Sequence, residues 1–203
     1  PLNRMLQKLT KIEGQDDLTA DLKAEMRQAI RMFDSLLDIS RAEADQGTGG
    51  GLVPVDLSTV AQEVWDLYDP LAEDKGLITD AQITPGLTIL GDRNLIAQVL
   101  SNLLDNAIKY CAPGDSLSLH LTPDIDRALM RVADTGPGLP DDLKAEAFDR
   151  FTRAERDRNI KGHGLGLALV RAIAARHGAR LTLPATDKGF ALEIRWPRLQ
   201  QSD

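Results

Sequence analysis

The sequence predicts an α+β fold, in which a mixed β-sheet covered by helices is preceded by an α-helical hairpin. Three observations lead to this prediction. Residues 1–46 repeat apolar side chains at helical spacing, residues 47–51 are rich in glycine, and residues 52–203 mix short strands with helices without a regular βαβ repeat. We therefore expect a partial hairpin over 1–46, a hinge over 47–51 and a globular domain over 52–203.

The hairpin is predicted from two runs of apolar side chains. The first run places Leu2, Leu6 and Leu9 at helical spacing. In the second run the spacing alternates between four and three residues, as in a coiled coil, through Leu22, Met26, Ala29, Phe33 and Leu36. Two helices alone leave part of these stripes exposed, so we expect a homodimer in which two hairpins form a four-helix bundle. The alternative is that the hairpin packs on its own downstream domain.

The globular domain is predicted to contain two long helices among short strands. A strand over 52–57 precedes a helix that Ser58 caps and that runs to about Lys75, and Asp92 caps a second helix to about Tyr110. A short helix is expected to end at residues 148–151. The remaining strands are expected at 78–83, 87–90, 117–122, 128–133, 181–183 and 190–196, the last two as a hairpin.

Composition excludes several classes of function. A formal net charge of −7 argues against generic binding to nucleic acid or to an anionic membrane. Cys111 is the single cysteine, which excludes an internal disulfide and fits a reducing compartment. The three histidines are scattered, so no spacing suggests a transition metal held by protein ligands, and no apolar run has the length of a membrane span.

A glycine-rich segment, Gly162–Gly166, opens a helix and predicts a seat for phosphate. Glycines at every second position let the backbone approach a ligand closely, and the unpaired N–H groups of a helix N-terminus attract anions. The alternative is a glycine-rich helix start that only packs tightly on a sheet. A P-loop is excluded because Leu167-Ala168 follows the last glycine, and a dinucleotide fingerprint because the preceding residues are too charged for a buried strand.

The second long helix carries polar residues on one face. Asn102 and Asn106 are four residues apart, and Lys109 and Tyr110 follow one turn later. Carboxamide oxygens suit Mg²⁺ already bound to phosphates, lysine supplies a charge for phosphate, and tyrosine supplies a flat face for a base. Either asparagine alone could be a surface residue, but the group favours a nucleotide site.

Two further motifs follow along the chain. Asp134 ends an alternating strand and begins Asp-x-Gly-x-Gly with Gly136 and Gly138; a carboxylate there favours the amino group of adenine over the carbonyl of guanine. Alone, this motif is equally compatible with a tight turn. Between Arg150 and Lys161, five basic residues oppose two acidic ones, which predicts a lid over phosphates or, alternatively, a solvated loop.

A Phe-x-x-Phe motif occupies residues 148–151, between the Asp-x-Gly-x-Gly motif and the glycine-rich segment. The order of all these motifs resembles the N, G1, F and G2 boxes of the ATP-binding domain of sensor histidine kinases, over about residues 52–197. Ser35-Leu-Leu-Asp-Ile-Ser-Arg-Ala-Glu43 resembles the end of the dimerisation domain of the same family. The resemblance implies an α/β sandwich that binds ATP and Mg²⁺. It also implies a protein histidine kinase that acts as a homodimer, with a response regulator receiver domain as partner and a cytoplasmic catalytic region.

The resemblance also implies a role for each site residue. Asn106 would hold Mg²⁺, Asn102 would lie beside the polyphosphate, and Lys109 would contact phosphate, which makes these three the catalytic residues. Tyr110 would stack on adenine, Asp134 would accept from its amino group, and Gly136 and Gly138 would shape the base pocket. The remaining residues would surround the phosphates: Arg153 in the lid, then Gly162, His163, Gly164, Leu165 and Gly166.

The phosphoacceptor histidine of the family has no counterpart in this sequence. No histidine precedes His120, so we expect the acceptor upstream of Pro1; the alternative is a degenerate kinase that lacks the acceptor. Two alternatives remain: a gyrase- or chaperone-type ATPase, and a non-catalytic module in which ATP biases the shape of a dimer. The ATPases carry a glutamate where this chain has Asn102, so bound ATP is expected to hydrolyse slowly and to await another nucleophile.

Overall fold

The computed structural model describes residues 16–44, 51–152 and 163–199. The predicted first helix, most of the hinge and the predicted lid therefore lie outside the described residues. The helices are α1 (Asp16–Ala44), α2 (Leu57–Asp74), α3 (Arg93–Tyr110) and α4 (Gly166–Arg176), with a 3₁₀ turn at Asp141–Leu143. The strands are β1 (Val53–Asp56), β2 (Ile78–Ile83), β3 (Thr88–Gly91), β4 (Ser116–Asp124), β5 (Arg127–Asp134), β6 (Arg180–Thr182) and β7 (Phe190–Pro197).

The main sheet is mixed, as predicted. Its five strands lie in the order β2-β4-β5-β7-β6, and β2 runs parallel to β4 whereas the other neighbours are antiparallel. Strands β1 and β3 form a separate antiparallel pair. The expected α+β class is confirmed, and the predicted hairpin of the last two strands forms as β6 and β7.

The hydrophobic core lies between one face of this sheet and helices α2, α3 and α4. Alternate residues are buried over 117–121 of β4 and 128–132 of β5, as expected for a sheet with one covered face. The buried side chains of α3 are Ile96, Val99, Leu100, Leu103, Leu104 and Ala107. The helix thus turns its apolar side to the sheet, which leaves its polar residues along another side.

Helix α1 packs along α4 through its C-terminal half. Ile39 and Ala42 are 1% and 2% exposed and belong to the core cluster, and Leu36 packs against that cluster. The expectation that Leu36 belongs to an exposed dimer stripe is therefore wrong, because this side chain meets the domain of its own chain. Phe33 and Leu37, on the opposite side of α1, are 53% and 39% exposed.

Two polar contacts accompany this packing of α1. The Gln98 side-chain amide of α3 donates to Asp38 Oδ2 at 2.9 Å, and Arg150 pairs with Glu43 at 2.6 Å.

Within the described part of the chain no helix has the length and apolarity of a membrane span.

Two local predictions need correction. Asp56, not Ser58, caps α2: its carboxylate accepts from the Thr59 amide at 3.1 Å. The Ser58 hydroxyl instead donates to the Thr84 carbonyl at 2.7 Å and accepts from the Leu87 amide, so it fastens α2 to the loop before β3. Residues 148–151 end a series of turns rather than a short helix.

Candidate functional site

A cavity of about 370 Å³ lies between α3, the end of β5 and the start of α4. Most of the predicted site residues line it: Asn102, Asn106, Lys109, Tyr110, Asp134, Gly138, His163, Gly164, Leu165 and Gly166. Gly136 lies directly behind Asp134, and Arg153 and Gly162 are outside the described residues. The structure thus gathers residues that are separated in the sequence by more than sixty positions.

The two asparagines face the start of α4. The side-chain amide of Asn102 donates to the backbone carbonyl of Gln98, one turn earlier, at 2.8 Å, and this hydrogen bond orients the Asn102 side chain. A Cβ on Gly166 would lie 3.4 Å from Asn102 Oδ1 and 3.5 Å from Asn106 Nδ2. Glycine at this position therefore lets the first turn of α4 lie against both carboxamides.

Among the residues that the structure describes, no side chain caps the N-terminus of α4. Its N-cap residue is Leu165, which offers no hydrogen-bonding side chain to the first-turn amides. These N–H groups open onto the cavity beside the carboxamides, and a helix start of this kind binds anions. The prediction of a phosphate seat is thus consistent with the geometry of the helix start.

Lys109 and Tyr110 form a pair at the C-terminal end of α3. The Lys109 ammonium donates to the Tyr110 hydroxyl at 2.8 Å and lies 4.3 Å from the centre of its ring. This contact places a positive charge and an aromatic face next to each other on the cavity wall.

Asp134 lies at the last position of β5, at the other end of the cavity. Burial raises the pKa of its carboxyl, while the Gly136 amide, which donates to Oδ1 at 2.9 Å, acts in the opposite direction. A Cβ on Gly138 would lie 2.4 Å from the Gly189 carbonyl oxygen, so the turn after Asp134 packs directly on the turn before β7.

A backbone hydrogen bond closes the segment between the 3₁₀ turn and α4. The Phe151 amide donates to the Gly164 carbonyl at 2.9 Å. Both residues adopt positive φ angles, 68° at Phe151 and 67° at Gly164. This backbone conformation is sterically unfavourable for Phe151, which has a Cβ, but not for glycine. A Cβ on Gly164 would lie 2.7 Å from Phe151 C and Thr152 O, so this position requires glycine.

The donor set fits a magnesium ion only together with phosphates. Among residues 16–44, 51–152 and 163–199, no group of three or more His, Cys, Asp or Glu side chains is placed to hold a metal. Asn106 instead offers a neutral carboxamide beside a helix N-terminus that favours phosphate. Such a site suits a cation whose other ligands are phosphate oxygens and water.

Sequence reasoning missed several cavity residues. They are Ser35, Asp105, Pro137, Leu139, Ala147, Thr152, Leu167 and Phe190. Phe190 lies opposite Asp134 in the register of β5 and β7, a pairing that no local pattern reveals. Asp105 precedes Asn106 in the sequence, and its neighbour Tyr68 on α2 belongs to no predicted motif. Asp105 is exposed overall, but partial desolvation on the cavity wall raises the pKa of its carboxyl, whereas the hydrogen bond from Tyr68 lowers it.

The chain matches a known sequence family and many relatives. Residues 91–200 match the family described as histidine kinase-, DNA gyrase B- and HSP90-like ATPase. Signal transduction histidine-protein kinase/phosphatase MprB of Mycobacterium tuberculosis is 31% identical over 174 residues, which are 85% of this chain and 33% of that protein. The adaptive-response sensory kinase SasA of Crocosphaera subtropica is 34% identical, over 81% of this chain and 44% of that protein. The chain thus spans between a third and a half of the length of these curated relatives.

Solved structures share the fold. The mycobacterial sensor histidine kinase MprB superposes with a TM-score of 0.64 at 28% identity, over 72% of this chain and 98% of that one. Full-length ShkA in complex with AMPPNP superposes with a TM-score of 0.77 at 25% identity, over 98% of this chain and 42% of that one.

Proposed function

The chain belongs to the histidine kinase-, DNA gyrase B- and HSP90-like ATPase family, and from this premise we propose that its cavity binds Mg-ATP for phosphoryl transfer to a histidine. The chain is an ATPase-type catalytic domain homologous to sensor histidine kinases. The observation that carries the proposal is the cavity itself, which has a half-buried carboxylate at one end and, at the other, two carboxamides beside a helix N-terminus that no described side chain caps.

Asp134 marks the end of the cavity that receives the base. A carboxylate accepts hydrogen bonds but cannot donate them, so it pairs with the amino group of adenine and repels the carbonyl of guanine. Tyr110 offers its ring to the base, and the turn through Gly136 and Gly138 lets the chain pass close behind it. This end therefore selects the nucleotide.

The polyphosphate lies at the other end, between α3 and α4. The first-turn amides of α4 and the Lys109 ammonium neutralise its charge, and Asn102 and Asn106 orient it. Asn106 would hold Mg²⁺, which shields the charge on the phosphate oxygens. Gly162, His163, Gly164, Leu165 and Gly166, with Arg153, complete the proposed phosphate surroundings.

The wall of the cavity favours transfer to another nucleophile over hydrolysis. Asn102 has no proton-accepting carboxylate, so it cannot activate a water molecule as a general base. We place the acceptor histidine upstream of Pro1 and the second acceptor on an aspartate of a response regulator receiver domain. Residues 1–46 would form the homodimer contact, since Phe33 and Leu37 expose an apolar side of α1. Residues 47–51 would form the hinge, and residues 52–203 the ATP-binding domain of a cytoplasmic catalytic region.

Asp105 keeps the ATPase alternative open to a direct test. It is a carboxylate on the cavity wall, and its hydrogen bond with Tyr68 directs it toward α2. In a hydrolase, Asp105→Asn would abolish steady-state phosphate release. In the proposed transferase, release is slow in the unmodified chain and unchanged in the variant.

Two measurements test the proposal. Calorimetry with Mg-ATP and Mg-GTP is expected to show preference for ATP, and Asp134→Asn to erode that preference by roughly 1–3 kcal/mol, the cost of a mismatched buried partner. Incubation with γ-labelled ATP is expected to leave this chain unlabelled, and to give acid-labile label on a chain extended upstream of Pro1 to include a histidine. Equal affinity for both nucleotides, or label on the unextended chain, contradicts the proposal.

A further inference from the structure

A buried thiol lies behind the carboxylate that we assign to base recognition. Cys111 ends α3: its amide donates to the Ala107 carbonyl at 2.9 Å, and its backbone then turns to an extended conformation. The residue is 4% exposed and is not part of the cavity wall, although Tyr110 immediately before it is. None of the roles described above involves its side chain.

The Cys111 thiol and the Asp134 carboxylate both lie next to Gly136. A Cβ on Gly136 would lie 2.8 Å from Cys111 Sγ and 3.1 Å from Asp134 Oδ1, so both atoms border the same small space. The Gly136 amide donates to that same Oδ1 at 2.9 Å. Asp134 therefore faces the cavity on one side and has the thiol and the Gly136 backbone on the other.

The chemistry of this contact defines which partner donates. Burial raises the pKa of the Cys111 thiol to about 12, and the neighbouring Asp134 acts in the same direction, so the sulfur keeps its proton at neutral pH. A protonated thiol donates to a carboxylate. Three donors thus act on Asp134 and lower its pKa against the effect of burial: the Gly136 amide, the Cys111 thiol and the Phe190 backbone.

We propose that Cys111 is a positioning residue for Asp134, whose thiol holds the carboxylate in the orientation that distinguishes adenine from guanine. The inference rests on the proposed role of Asp134 in base recognition. Cys111 touches no nucleotide itself. With the backbone amides fixed by the turn and by β7, the thiol is the one side-chain donor of the three, and therefore the one that a substitution can remove.

Three variants separate positioning from packing. Cys111→Ala removes the donor and leaves a small void, whereas Cys111→Ser keeps a donor at the same place. Ile96→Val is the matched control, because it removes one buried methyl group from the same helix at a position outside the cavity wall. Thermal unfolding of each variant first establishes that it is folded.

The primary readout is the ratio of the dissociation constants for Mg-ATP and Mg-GTP. We expect Cys111→Ala to lower the preference for ATP by about three- to tenfold, the range for one hydrogen bond of ordinary strength, because a thiol is a weak donor. Cys111→Ser and Ile96→Val are expected to keep the preference of the unmodified chain. If Cys111 serves only in packing, the ratio is expected to change little in all three variants, including Cys111→Ala.

The pH dependence of ATP binding is the second readout. Loss of a donor raises the pKa of Asp134 further, so the acid loss of ATP affinity is expected at higher pH in Cys111→Ala and at the original pH in Cys111→Ser. Asp115, itself paired with Lys188 at 2.7 Å, also faces this site, and Asp105, Lys109, Tyr110 and His163 share the cavity. These groups and the titration of ATP itself are common to all variants, so the difference between variants reports on Cys111.

The outcomes separate this inference from the proposed function. The positioning role is refuted if Cys111→Ala keeps both the ATP preference and the pH profile, or if Cys111→Ser loses them as Cys111→Ala does. An unmodified chain without preference for ATP refutes both the proposed base pocket and the inference that rests on it. If the unmodified chain and Cys111→Ala both prefer ATP to GTP to the same extent, the positioning role of Cys111 is refuted and the proposed base pocket is not.

Discussion

Gly164→Ala tests how closely the glycine loop approaches the segment that leads into it. Gly164 has a φ of 67°, and an added Cβ would lie 2.7 Å from Phe151 C and Thr152 O. A left-handed conformation costs an alanine roughly 1–2 kcal/mol. The backbone atoms must also move apart, which sacrifices the 2.9 Å hydrogen bond from the Phe151 amide to the Gly164 carbonyl and adds about 0.5–1.5 kcal/mol.

The sum of these two costs is roughly 1.5–3.5 kcal/mol. If the glycine loop rearranges locally, the free energy of unfolding changes little and the affinity for Mg-ATP falls by about ten- to three-hundredfold, since 1.4 kcal/mol corresponds to a factor of about ten. If the loop instead keeps its backbone conformation, the free energy of unfolding falls by the same amount and the affinity for Mg-ATP changes little. Urea denaturation and calorimetric titration with Mg-ATP, on the same preparation, distinguish the two.

Gly86→Ala is the matched control. Gly86 has a φ of 78°, but its Cβ would meet nothing within 4 Å. This variant therefore isolates the conformational cost, and we expect a loss of about 1–2 kcal/mol in the free energy of unfolding with unchanged ATP affinity. Should Gly164→Ala prove no more harmful than Gly86→Ala in either assay, the close approach at Gly164 does not matter energetically.

Three further predictions follow from the described contacts. Asn106→Ala is expected to abolish the Mg²⁺-dependent part of ATP affinity without lowering the melting temperature; a variant that still responds to Mg²⁺ in calorimetry would place the metal elsewhere. His177 is buried and accepts from the Asp92 amide at 2.9 Å, and burial lowers its pKa from 6.5, so the folded state stays neutral where the unfolded chain gains a proton. The free energy of unfolding is therefore expected to decline as pH falls below 6.5, and the difference between this chain and His177→Gln in urea denaturation at pH 7 and pH 5 measures that contribution; equal slopes would refute it. Phe33→Glu, at a side chain that is 53% exposed, is expected to convert a dimer into a monomer in light scattering while Asp34→Ala leaves it dimeric, and an unmodified chain that is already monomeric at micromolar concentration contradicts the predicted dimer.

The elements that position the cavity could be predicted from the sequence because their signals are local. Asp92 caps α3 as expected, accepting from the Asn94 and Leu95 amides, and the spacing of the two asparagines follows from helical geometry alone. Likewise, the alternation of apolar residues defines β4 and β5 within one or two residues of the predicted ends.

What could not be predicted depends on contacts between distant segments. Asp56 and Ser58 are both good capping residues, and only the position of the loop before β3 determines that Ser58 binds there instead. Phe190 enters the cavity through its pairing with Asp134, and Ser35 through the packing of α1. The periodicity that assigned Leu36 to a dimer stripe was a correct description of a helix, but periodicity alone cannot say which partner covers which side.

The hydrogen bond between the Phe151 amide and the Gly164 carbonyl also bears on how the chain tolerates insertions and deletions. It joins the two ends of the intervening stretch at one point, so the entropy of closing that stretch grows only with the logarithm of its length, about 0.6 kcal/mol for each doubling. We therefore expect an insertion there to cost little free energy of folding. The hydrogen bond itself ties the start of α4 to the turn region, so we expect the described part of the cavity to stay in place.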